Sequence, residues 1–165
     1  MDSHNNFTAR RIRRISSEPA HQKMKPRPRV IIADDDALIV EQLSSLIEPS
    51  FDVVGCASNG RRLVEMVEAL LPAIVIADIT MPEMNGIEAT RLITKKHPAV
   101  KVVIVSGHTI DALIAGAFDA GASGYVAKLQ VFSELIPAMD TVLSGDMYWP
   151  RDTEQERTRT KYAAR

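Results

Sequence analysis

The chain has 165 residues, 45% hydrophobic and 25% charged, enough for one domain with a full core and short for two. No apolar run of about 18 residues exists to span a bilayer, no apolar N-terminal stretch reads as a secretory signal, and the single Cys56 excludes an internal disulfide or a cysteine metal cluster. The net charge of −1 hides an asymmetry: residues 1–29 carry eight Lys or Arg against two acids, residues 30–150 seven against sixteen, and residues 151–165 five against three. The cytoplasm is the expected compartment, with no membrane partner.

Residues 1–28 are polar, Arg-rich and closed by Pro26 and Pro28. They lack apolar periodicity and read as a basic, mobile extension. Within it, Arg10, Arg11, Arg13 and Arg14 with Ile12 and Ile15 suit a short basic helix on a partner. From residue 29 five β-branched runs follow: Arg29–Ala33, Asp52–Cys56, Ala73–Ala77, Val100–Val105 and Ser123–Ala127. The first, third and fourth are almost continuously apolar, as expected of parallel strands covered on both faces. Between the strands, helical spacing recurs. Ile39, Leu43, Leu46 and Ile47 form one stripe. Leu63, Met66, Val67, Leu70 and Leu71 form a second, followed by Ile110, Leu113, Ile114, Ala117 and Phe118. Leu135, Ala138, Met139, Val142 and Leu143 make the last. Gly86–His97 is read as a helix with a weaker stripe.

Boundary residues agree with these elements. Thr109 and Ser133 are expected to cap the fourth and fifth helices, Gly121 to follow the fourth, and Pro72 and Pro98 to end the second and third. Pro137 is placed near the first turn of the fifth helix, where a missing N–H costs little. Trp149, just past that helix, either packs on the body or opens a linker. Five alternating strands and helices predict an α/β fold, a doubly wound (βα)5 three-layer sandwich of flavodoxin-like strand order 2-1-3-4-5. Sites in such sheets lie at the carboxyl ends of the strands.

Those ends carry the chemistry. The first strand ends in Asp34, Asp35 and Asp36, the third in Asp78 followed by Ile79-Thr80-Met81-Pro82, and the fourth in Ser106-Gly107-His108. The fifth contains Tyr125 and runs into Lys128. Crowded carboxylates repel unless a cation neutralises them, and Mg²⁺ suits a few carboxylates with water and phosphate oxygens. A carboxylate is also a nucleophile toward phosphorus, in a reaction that depends chiefly on neutralising the transferring oxygens. Lys128 and a hydroxyl from Ser106 fit that need.

The segments "VIIADDD", "VIADITMPEMNGIEA", "VVIVSGH" and "AGASGYVAK" resemble the four signature regions of bacterial two-component response-regulator receiver domains, in a LuxR/NarL-like flavour. The resemblance runs in order from about Val30 to Pro150. It implies that Asp78 accepts a phosphoryl group from a sensor histidine kinase or phosphotransfer protein. It implies Mg²⁺ held by Asp34, Asp35, Asp78 and the Thr80 backbone carbonyl, and phosphoryl contacts from Ser106 and Lys128. Ser106 and Tyr125 take the switch positions, and the responding face is built from the fourth helix, fifth strand and fifth helix, a surface for a homodimer or a downstream target. Leu129 stands where the family often has proline, Asn85 where Asp is commoner, and Asp36 where this class often has His.

Other readings differ in class. Asp34-Asp35-Asp36 superficially fits the Asp-x-Asp of haloacid-dehalogenase-like phosphohydrolases, but Leu38 stands where Thr or Val is usual and Asp78 then has no role. A pseudo-receiver would keep the pocket and signal by contact alone. Arg151–Arg165 is read as a polar tail, too short for a helix-turn-helix effector, so sequence-specific DNA binding is not expected of this chain. His108 is read as a loop residue bordering the site, and Cys56 as a small buried residue.

Overall fold

The computed structural model describes residues 26–150. The expectations for the basic extension, except its last residues, and for the polar tail lie outside the described residues. Strand alternation sorts the body into two cores. In β1 (Arg29–Ala33) Val30 and Ile32 point to one face, Ile31 and Ala33 to the other. In β3 (Ile74–Ala77) Ile74 and Ile76 oppose Val75 and Ala77 in the same way. β2 (Asp52–Ala57), β4 (Lys101–Ser106) and β5 (Gly124–Ala127) complete a five-stranded parallel sheet of order β2-β1-β3-β4-β5.

One face is covered by α1 (Ala37–Ile47) and α5 (Val131–Leu143), through Leu43, Ile47, Leu135, Met139 and Val142. The other is covered by α2 (Gly60–Leu70), α3 (Gly86–Lys96) and α4 (Asp111–Asp119), through Leu63, Val67, Ile93, Ile114 and Phe118. Each fully buried aliphatic side chain of this kind contributes about 1.5–3 kcal/mol. This is the three-layer, flavodoxin-like sandwich expected from the sequence. The switch from β1 outward to β2, then back across to β3, opens a crevice at the strands' carboxyl ends.

Three helices start on side-chain caps. Asp36, Asn59 and Asn85 accept from the N–H groups of Leu38, Arg62 and Glu88, each contact contributing about 1 kcal/mol. At α3, Glu88 also bonds back to the Asn85 N–H, completing a capping box. Gly121 follows α4 with φ +100, in the left-handed region expected there.

Two cap expectations and one proline placement need correction. Ile110, not Thr109, precedes α4, without a side-chain cap. A 3₁₀ turn over Lys128–Gln130 winds directly into α5, which therefore begins at Val131. Ser133 lies inside the first turn, donating its hydroxyl to the Gln130 carbonyl at 3.1 Å. Pro137 consequently sits in the helix interior, where it removes one backbone donor.

After α5 the chain reverses at Gly145, φ +97, and runs beside β5. Tyr148 pairs in parallel with Gly124. Its N–H donates to the Ser123 carbonyl at 2.9 Å, and its carbonyl accepts from the Tyr125 N–H at 3.0 Å. Trp149 stacks on Phe118 of α4, ring centroids 3.9 Å apart. Of the two readings of Trp149, packing on the body is the one found.

Candidate functional site

Pairing of β1 with β3 sets Ala33 opposite Ala77, so the next residues, Asp34 and Asp78, leave the sheet side by side. The Asp78 N–H donates to the Ala33 carbonyl at 2.8 Å and the Asp34 N–H to the Ala57 carbonyl at 3.1 Å. Both carboxylates are buried, whereas Asp35 is exposed. One oxygen from each of Asp34, Asp35 and Asp78 lies within 4.8 Å of the others. Asp36 is not in this group. Its carboxylate turns to cap α1, 2.9 Å from the Leu38 N–H, which also removes the second acid that the Asp-x-Asp phosphohydrolase reading requires.

Lys128 opens the 3₁₀ turn after β5, and its long stem carries Nζ across β4 to the acids. Nζ lies 2.7 Å from Asp34 Oδ2 and 3.3 Å from Asp78 Oδ2. The remaining oxygens are also engaged: Asp34 Oδ1 accepts the Asp36 N–H at 2.9 Å and Asp78 Oδ1 the Ile79 N–H at 2.8 Å. Burial pushes the Asp78 carboxyl above its ordinary range, Lys128 pulls it down, and Asp34 pushes it up again. At Lys128, burial pulls the ammonium down, but the hydrogen bond to Asp34 and the charges of Asp78 and Asp34 outweigh it and leave it raised.

Three carboxylates and one ammonium leave a formal excess of two negative charges at this rim. That donor set, oxygen-only and clustered, fits a hard divalent cation such as Mg²⁺. Thr80 sits exposed two residues beyond Asp78, between the buried Ile79 and Met81.

Ser106 and Tyr125 belong to the other strand parity, on the α4 side, and both are fully buried. The Ser106 hydroxyl oxygen accepts the His108 N–H at 3.2 Å, and the Tyr125 hydroxyl donates to the His108 carbonyl. Burial raises the Tyr125 phenol, a hydrogen bond with Ser106 lowers it, and the Asp78 charge raises it. Hydroxyl, aromatic ring and β4–α4 loop are thus one connected unit. The structure gathers six of the sequence-predicted site residues in two groups: Asp34, Asp35, Asp78 and Lys128, then Ser106 and Tyr125; Thr80 belongs to neither.

Three contributors were missed. The His108 backbone, rather than its ring, joins the switch pair. Gly86 lets α3 begin against the acceptor strand, since a Cβ there would lie 2.0 Å from the Asp78 carbonyl oxygen. Gly60 likewise passes close under the β3–α3 loop, its N–H donating to the Met84 carbonyl at 3.0 Å. Both glycines open helices beside the loop, and that position in sequence was the available signal. Among the described residues no peptide bond is cis, and Leu129 adopts the trans form. Cys56 is exposed rather than buried, because β2 is an edge strand.

A parallel 2-1-3-4-5 sheet with acids and a lysine converging at its carboxyl rim defines a flavodoxin-like α/β domain with an oxygen-rich, lysine-bridged site. Residues 30–140 match the family model for the response regulator receiver domain, and the chain belongs to that family, the receivers of two-component systems. It is similar to the transcriptional regulatory protein LnrK of Bacillus subtilis, 41% identical over 74% of this chain and 56% of that protein. It is also similar to the chemotaxis protein CheY of Thermotoga maritima, 39% identical over 69% of this chain and 96% of that protein. Among solved structures, a LuxR-family two-component response regulator from Aurantimonas sp. SI85-9A1 superposes with a TM-score of 0.76. It is 34% identical, over 82% of this chain and 98% of that one. The chain spans little more than half the length of the first transcriptional regulators it matches. No helix among the described residues is long and apolar enough to cross a membrane.

Proposed function

We propose that this receiver takes a phosphoryl group onto Asp78 from a phosphohistidine of a sensor kinase or phosphotransfer protein. A carboxylate oxygen of Asp78 forms the new bond to phosphorus as the phosphorus–nitrogen bond breaks. The electron pair leaves with the imidazole, which takes up a proton. The observation that carries this reading is the Lys128 ammonium held between Asp34 and Asp78, beside an acceptor carboxylate that is buried yet reachable from the rim. Lys128 neutralises charge developing on the phosphoryl oxygens, and Ser106 offers them a hydroxyl. Asp34, Asp35, Asp78 and the Thr80 carbonyl are the residues that would hold Mg²⁺, which supplies further charge neutralisation when bound.

Ser106 and Tyr125 form the switch in this reading. A phosphoryl oxygen that draws Ser106 toward the site acts on the β4–α4 loop, to which Tyr125 is tied through His108. The response is a shift between two arrangements biased by the new charge. The α4–β5–α5 face then pairs with a second copy or a target. Any self-phosphorylation and dephosphorylation serve the signal rather than turnover of a substrate. Transcription control, where it follows, belongs to a separate output module: residues 30–150 carry a net charge of −9, which repels a phosphate backbone. A cytoplasmic setting accords with these roles.

The test is intact mass after incubation with acetyl phosphate and Mg²⁺. The expected result is one added phosphoryl group in the native chain and none in Asp78→Ala. No adduct from either acetyl phosphate or a kinase, with Mg²⁺ binding verified, would leave a pseudo-receiver that signals by contact alone.

A further inference from the structure

The segment Met147–Trp149 is placed where it touches both halves of the switch. Two backbone hydrogen bonds fix it along β5, one to the carbonyl of Ser123 just before that strand and one from the amide of Tyr125 itself. It meets α4 through the Trp149 ring, stacked on Phe118. Its side chains alternate like those of a sixth strand: Met147 and Trp149 pack on the core shared by Tyr125 and α4, and Tyr148 enters the core under α5. Gly124 makes room for this approach, since a Cβ there would lie 3.3 Å from the Tyr148 Cβ.

Docking leaves one buried group unmet: the Tyr148 hydroxyl has no hydrogen-bond partner among the described residues. An unmet buried hydroxyl offsets part of what the ring's burial contributes. A short segment anchored on two elements is biased between docked and undocked states when one anchor moves against the other.

Building on the phosphoacceptor reading, we propose that Met147–Trp149 is a strap that reports the switch to the chain beyond Pro150. β5 and α4 are its two anchors, and only α4 follows directly from the β4–α4 loop that carries His108. When Ser106 and that loop are drawn toward a phosphoryl group on Asp78, α4 shifts relative to β5. The Phe118–Trp149 stack is the contact that spans the two, so it loosens while the bonds to β5 hold the strap's other end. The strap also closes the β5 edge through its bridge to Gly124.

Trp149 is the chain's only tryptophan, so its fluorescence reads the strap without a label. The experiment uses the full chain with Mg²⁺, with and without acetyl phosphate, and measures emission maximum and acrylamide quenching on samples whose intact mass is recorded in parallel. Expected are a red shift and stronger quenching in the phosphorylated chain, with neither in Asp78→Asn. A phosphorylated chain whose emission and quenching are unchanged, or whose quenching falls, overturns the strap proposal and leaves the phosphoacceptor reading intact. An absent phosphoryl adduct refutes that reading instead, and with it the proposal's premise. Tyr148→Phe supplies a second measurement that needs no phosphoryl group. Removing the unpartnered hydroxyl should seat the strap more firmly and reduce quenching below that of the native chain, whereas increased quenching would mean the hydroxyl anchors it and would overturn the reading of a strap whose docking leaves that group unmet.

Discussion

At Asp78, burial favours the neutral acid, Lys128 favours the ion, and Asp34 again favours the acid, with the balance on the raised side. A carboxyl whose folded pKa exceeds its unfolded value contributes stability that is fully present below the unfolded carboxylate range. That contribution is lost as pH rises through the folded value. At neutral pH without a divalent cation, the ionised Asp78 therefore works against the fold. Asp78→Asn removes that charge, leaves Lys128 its 2.7 Å contact with Asp34, and keeps an oxygen to accept the Ile79 N–H. We expect the substitution to stabilise the chelator-treated protein at pH 7 by about 1 kcal/mol, a rise of a few degrees in Tm. The difference should shrink as pH falls toward the ordinary carboxylate range, and Mg²⁺ should raise Tm more in the native chain than in the variant. Thermal unfolding at several pH values, with EDTA or Mg²⁺, checks all three. An Asn variant less stable than the native chain in EDTA at pH 7 would mean that the Lys128–Asp78 contact outweighs the crowding.

At the scale of elements, the parts legible in sequence were those written in periodicity. The almost continuous apolar runs of β1, β3 and β4 and the stripes of α2, α4 and α5 set the layers, and the acidic strand ends located the site. Helix starts were less legible, because several polar residues compete for each cap. Ser133 has the right side chain for an N-cap, yet the 3₁₀ turn after β5 already directs the chain into α5, and the cap position falls to Gln130. The strap was hidden for a related reason: one bridge of pairing leaves no repeat in the sequence, and Trp149 alone is compatible with packing or with a linker. The displaced start of α5 leaves Pro137 exposed in the helix interior, facing the turn of Ser133 without a donor. An interior proline costs a helix about 3 kcal/mol, partly offset by about 0.4–1 kcal/mol through its restriction of the unfolded chain. Pro137→Ala should therefore stabilise the domain by roughly 2–2.6 kcal/mol, seen as a higher denaturant midpoint with unchanged slope. A lower midpoint would show that the ring's packing or the bend it imposes is worth more than the restored hydrogen bond.

Across the whole molecule, charge is distributed so as to influence how copies meet. The described body is acidic, residues 30–150 having a net charge of −9, and neither α4 nor α5 contains a Lys or Arg. Asp111 and Asp119 lie on α4, and Glu134 and Asp140 on α5. The β5 edge between those helices is closed by Tyr148, so pairing by strand addition is blocked while the strap is docked. Two copies that meet through this face must do so with side chains, and bring like charges together. Such repulsion acts over a Debye length of about 10 Å at 0.1 M salt and is screened beyond it. If phosphorylation produces a dimer across α4–β5–α5, its affinity should therefore increase as salt is raised, the reverse of an association built on opposite charges. Light scattering behind size exclusion, on the phosphorylated chain and on Asp78→Asn across a salt series, measures this. A dimer that instead weakens with salt would point to residues 1–29, net +6, reaching onto the acidic body of the partner copy, because that is the chain's strongest opposite charge.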